Sequence, residues 1–67
     1  MKFKNFILYL YPHQKFILIG RYFKSKPMSR MENDEEVRDL VKGYGEEYVH
    51  LIHCIDGCIH IELKTRY

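Results

Sequence analysis

The dipeptide Asp56-Gly57 constrains this chain more than any other feature. It lies between two apolar runs, 47–55 and 58–65, and it selects a type I′ hairpin turn because both central residues must hold φ > 0. A two-residue turn also sets the register. It places Ile55 opposite Cys58, Cys54 opposite Ile59 and His53 opposite His60. The second run alternates Ile59, Ile61 and Leu63 with His60, Glu62 and Lys64. That is the pattern of a strand with one face in a core and one in water.

A helix is expected ahead of this hairpin. Asn33 can cap it, and Glu36 three residues on completes a capping box. Asp34 and Glu35 complement the positive helix end. Val37, Leu40, Val41 and Tyr44 then fall at i, i+3, i+4 and i+7, an apolar stripe. Gly43 and Gly45 close it. A helix of about ten residues does not persist in water without docking.

Two earlier runs, 3–11 and 15–23, are rich in aromatic and β-branched residues, the composition of strands. Pro12-His13-Gln14 separates them, so they read as a second hairpin. A polar segment, 24–30, leads on to the helix. The predicted order is ββαββ. The fold class is α+β: a four-stranded, mostly antiparallel sheet with one short helix packed on one face. That order is similar to β-grasp folds in element order alone, and no residue motif accompanies it. At 67 residues the chain reads as one domain, 1–67, with a thin core.

One helix covers one face of such a sheet. In the predicted N-terminal hairpin, Phe6, Leu8, Leu10, Ile17, Ile19 and Phe23 share the face under the helix. The other face holds Phe3, Ile7, Tyr9, Tyr11, Phe16, Leu18 and Tyr22. With 6 Tyr and 4 Phe in the chain, this second set is an aromatic surplus, and interface centres favour aromatic side chains. Tyr9, Tyr11, Phe16 and Tyr22 are therefore the expected partner-binding anchors, with Arg21, Lys24 and Lys26 at the rim. Charge is distributed unevenly. Residues 1–31 carry Lys2, Lys4, Lys15, Arg21, Lys24, Lys26, Arg30 and no acid, whereas 32–47 carry Glu32, Asp34, Glu35, Glu36, Asp39, Glu46 and Glu47. This asymmetry implies a dipolar surface or an internal pairing of helix with sheet.

Three chemistries compete with protein binding. His50, His53, Cys54, Cys58 and His60 are dense enough to raise zinc. In the predicted register His53, Cys58 and His60 share one face, and His50 and Cys54 take the other. A zinc-stabilised hairpin is thus a minor alternative, and no metal or cofactor is expected. Cys58 with His53 or His60 could form a nucleophile pair, but no third orienting residue or oxyanion donor accompanies it. No enzyme is expected. Residues 1–31 interleave cations with aromatics, so single-stranded nucleic acid is the runner-up partner.

Two cysteines do not make a disulfide framework. Lys2 and Lys4 resemble the start of a signal peptide, but the apolar run stops at Pro12 without a cleavage site. No stretch has membrane-spanning length. The expectation is a cytoplasmic, non-enzymatic protein-binding module that forms a dimer or docks on a host. Small regulators and inhibitors of larger assemblies, phage-encoded ones among them, fit that description.

Overall fold

The computed structural model describes residues 1–65. Its C-terminal hairpin follows the turn chemistry. Asp56 and Gly57 hold φ of 50° and 77°. They join β2 (Tyr48–Ile55) to β3 (Cys58–Lys64). The pairs Ile55–Cys58, Cys54–Ile59 and His53–His60 form as the register requires. A bulge between Val49 and Leu51 shifts the ladder near the start of β2.

The helix also forms. It is labelled α2 and spans Asp34–Tyr44. Val37 is buried, and Leu40, Val41 and Tyr44 pack against the core. The cap differs from the box that the sequence predicts. Asn33 Oδ1 accepts from the Ser29 N–H at 3.1 Å, and Asn33 Nδ2 donates to Glu36 Oε1 at 3.1 Å. The Asn33 side chain thus ties the preceding turn to the helix instead of capping a helical N–H.

The N-terminal half overturns the ββαββ reading. Residues 3–11 are not a strand. They form helix α1 (Phe3–Phe6) and a 3-10 turn, Ile7–Tyr9. Phe3 and Ile7 are buried, and Phe6 and Leu10 pack on the core beside them. These four stand at i, i+3, i+4 and i+7, the same spacing as the stripe of α2. Only Phe16–Ile19 of the second run is strand, β1. It pairs with β3 in parallel, Phe16 with Ile59 through Ile19 with Glu62. The sheet therefore has three strands in the order β1-β3-β2, mixed in direction. The expected four-stranded, mostly antiparallel sheet is absent among the described residues, and the likeness to β-grasp order goes with it.

The registers place Phe16, Leu18, Ile59, Ile61, Leu63 and Val49 on one sheet face. Phe3, Ile7 and Val37 from the helical layer close over that face, with Met28 from the connecting segment. The first residues of α1 dock on the turn after α2: Phe3 N–H donates to Glu47 O at 2.8 Å, and Lys4 N–H to Gly45 O at 3.1 Å. Gly45 is buried at this junction. A Cβ there would overlap the Val41 carbonyl oxygen and sit 3.1 Å from Lys4 Cβ. A glycine is required here by close approach, and Gly57 by its left-handed φ.

Candidate functional site

A three-stranded sheet has two edges, and exposed edges are templates for pairing. The β1 edge is sealed by residues 23–28. Phe16 and Met28 exchange backbone hydrogen bonds at 2.8 and 3.0 Å. Ser25 N–H donates to Leu18 O at 2.8 Å, Leu18 N–H donates to Ser25 Oγ at 2.8 Å, and Gly20 N–H donates to Phe23 O at 2.8 Å. The β2 edge is treated differently. Residues 1–3 cover its start: Lys2 bridges Tyr48 antiparallel, and Val49 N–H donates to Met1 O at 2.9 Å. Beyond Val49, from His50 to Ile55, the outer side of β2 makes no backbone hydrogen bond among the described residues.

The open stretch is apolar on both faces. Leu51, Ile52 and Ile55 are 45%, 50% and 51% exposed. Ile52 and Cys54 lie on the core-side face of the sheet, and Leu51, His53 and Ile55 on the opposite face. Cys54 is an exposed free thiol. In an antiparallel ladder the backbone groups of successive residues alternate between inward and outward. A type I′ turn makes Ile55–Cys58 a hydrogen-bonded pair, so His53 and Leu51 also point inward to β3. The outward N–H and C=O groups are those of Ile52 and Cys54. Segment 51–55 contains none of the usual edge guards, neither proline nor lysine nor carboxylate. His53 Nε2 lies 3.3 Å from Glu62 Oε2 on β3.

The residues singled out from the sequence differ in burial. Phe16 is 0% exposed and packs against Phe3, with ring centroids 6.5 Å apart. It belongs to the core, because the predicted hairpin face that would have exposed it does not form. Tyr9, Tyr11 and Tyr22 are all exposed, Tyr22 by 88%. Tyr9 and Tyr11 precede β1 in the chain and Tyr22 follows it. Arg21 and Tyr22 do meet, with the guanidinium carbon 5.4 Å from the ring centroid. Lys24 pairs through its backbone with Ile19. The Lys26 ammonium is 2.7 Å from Glu36.

Three ion pairs, Lys2–Glu46, Lys4–Glu46 and Lys26–Glu36, join the basic half of the chain to its acidic segment. Lys2 and Lys4 both reach Glu46, at 2.7 and 2.6 Å. Hydrogen bonds from these two ammonium groups hold the Glu46 carboxyl down to about 2. Glu36 is lowered by its hydrogen bonds from Lys26 and Asn33, and Lys2 is raised by its bond to Glu46. A groove of about 330 Å³ between α1 and α2 has Ile7, Val37 and Val41 among its lining and Lys4, Arg30, Arg38 and Lys42 at its rim. Most of that rim is engaged within the chain: Lys4 by Glu46, Arg38 by Asp34 at 3.2 Å, and Arg30 by the Leu10 carbonyl at 2.7 Å.

His53 and His60 stand opposite each other as the predicted register places them. Among the described residues, no group of three His, Cys, Asp or Glu side chains converges to hold a metal ion. No helix among them is long and apolar enough to cross a membrane. The open β2 edge was missed in the sequence because edge status depends on strand order, which local patterns do not encode. The chain matches no family model, no curated protein and no solved structure.

Proposed function

We propose that this chain is a small non-enzymatic protein-binding module that takes a strand from its partner onto the open edge of β2. One observation carries the reading. Among the described residues, one sheet edge is sealed along its length, while the other is left open from His50 to Ile55 with Leu51, Ile52 and Ile55 half exposed beside it. Strand addition uses such an edge: main-chain bonds supply affinity, and alternate side chains supply specificity. A small chain with one adhesive edge suits a regulator or inhibitor of a larger protein or assembly. The exposed tyrosines, Tyr9, Tyr11 and Tyr22, with Arg21, Lys24 and Lys26, are secondary contacts in this reading.

Single-stranded nucleic acid has less support. Lys2, Lys4 and Lys26 are held by Glu46 and Glu36. Phe3 and Phe16 are buried, so neither ring is available to stack on a base.

The test is affinity capture with the native chain, Ile52→Lys and Tyr22→Ala, followed by hydrogen exchange on the captured complex. Ile52 is half exposed, so lysine there leaves the fold intact, as circular dichroism would verify. The expected result is at least about tenfold weaker capture by Ile52→Lys, near-native capture by Tyr22→Ala, and slowed exchange at the Ile52 and Cys54 amides. Capture that survives Ile52→Lys and is lost with Tyr22→Ala would move the site to the Arg21–Tyr22 corner.

A further inference from the structure

Resting on the reading of β2 as the binding edge, we infer that its partner is a second copy of this chain, paired antiparallel about a two-fold axis at His53. The argument is one of parity. Only Ile52 and Cys54 in the open stretch point their backbone groups outward. A two-fold ladder must place outward residues opposite outward residues, which leaves three registers to compare.

In the first, Ile52 faces Ile52 of the copy. This brings Ile55 against Val49, whose outer N–H is already taken by Met1, and draws the bulge at His50 into the ladder. In the second, Cys54 faces Cys54. This pushes Ile52 against Asp56, which lies in the turn with φ of 50°, and shortens the pairing. In the third, Ile52 faces Cys54 and Leu51 faces Ile55, each twice by symmetry, and His53 meets its own copy on the axis.

The third register uses the open edge from Leu51 to Ile55 and stops at the obstructions on either side, the bulge and the turn. Every apolar side chain of the segment meets another across the join. Ile52 and Cys54 of opposite copies exchange both N–H···O bonds, and His53 becomes a non-hydrogen-bonded pair with close Cα atoms. Each His53 keeps its own Glu62 carboxylate at hand. The product is a continuous six-stranded sheet with the copies' helical layers on the same side. Five residues on each copy fall far short of the roughly 20–30 per side of a standard interface. The dimer is accordingly a weak one, with an expected dissociation constant of about 100 μM.

Sedimentation equilibrium on the untagged chain, from about 1 μM to 1 mM, is the first arm of the test. The mass is expected to rise from 8.2 kDa toward twice that value, and Ile52→Lys is expected to remain a monomer throughout. The second arm is His53→Cys with Cys54→Ser and Cys58→Ser. Mild oxidation should link its copies through position 53, because close antiparallel Cα positions fall within disulfide reach. The native Cys54 thiols are offset by two residues and should not link to each other. A native chain that stays monomeric at 1 mM overturns the second copy as partner, while amide protection in a captured complex would still uphold strand addition. A dimer that persists in Ile52→Lys, or that links through Cys54, overturns the proposal as well.

Discussion

Gly45 holds the junction between the two helices by having no side chain. Its φ is −61°, ordinary for any residue, so its necessity comes from space alone. A methyl group there would press on the Val41 carbonyl oxygen and crowd Lys4 Cβ. The hydrogen bonds of Phe3 to Glu47 and Lys4 to Gly45 would have to lengthen to admit it. Gly45→Ala is expected to destabilise the fold by about 1–3 kcal/mol, read as a fall in the urea midpoint. Gly43→Ala is the control, since a Cβ at that helical position meets nothing within 4 Å. Residue-level reasoning from sequence has a matching weakness. Phe16 reads as a surface anchor if its neighbours form one hairpin and as core if they form another element. Its burial follows from the partner strand, which its own side chain does not reveal.

Elements were legible in proportion to how local their signals are. Asp56-Gly57 dictates its turn through two backbone angles, and β2 and β3 followed with their register. α2 was legible from its stripe and its acidic first turn. The segment 3–11 was misread because two signals conflict there. Its Phe, Ile and Tyr residues favour strands, but Phe3, Phe6, Ile7 and Leu10 also lie on one helical stripe, and docking on the sheet decided between them. A pair of substitutions separates the two structures. In the strand reading Leu8 is core and Ile7 is on the other face; in the structure Ile7 is buried and Leu8 is exposed. Ile7→Glu is expected to cost more than about 3 kcal/mol, through lost burial and a desolvated carboxylate. Leu8→Glu is expected to stay within about 0.5 kcal/mol. Thermal melts followed by circular dichroism would distinguish them, and reversed magnitudes would restore the strand.

At the scale of the whole molecule, ion pairs connect the basic first half to the acidic segment that follows it. The charge asymmetry of the sequence was legible, but the expected pairing of helix with sheet is not the one that forms: Lys2 and Lys4 meet Glu46 in the turn after α2, and Lys26 of the connecting segment meets Glu36. The specific partners were not legible, because Lys2 and Glu46 meet only through the fold. Glu46 has its carboxyl lowered from 4.5 to about 2 in the folded chain. A folded value below the unfolded one means that its contribution is complete above about 4.5 and is lost as pH falls through about 2. Glu36 is lowered in the same direction by Lys26 and Asn33. Stability is therefore expected to drop between pH about 4.5 and 2. The drop should be shallower in Glu46→Gln, and equal slopes for the two proteins would remove Glu46 from the account. Added salt should reduce the difference, since these pairs are exposed.

The antiparallel run of residues 3 to 1 along 47 to 49 has a consequence for handling the protein. Read backward, Phe3, Lys2 and Met1 advance beside Glu47, Tyr48 and Val49. Anything fused ahead of Met1 would emerge next to His50 and run on toward the hairpin tip. A purification tag at the amino end would then act as a tethered competitor, present beside its target at an effective concentration in the millimolar range. An extension at the amino end thus decides whether β2 is offered to a partner or already occupied.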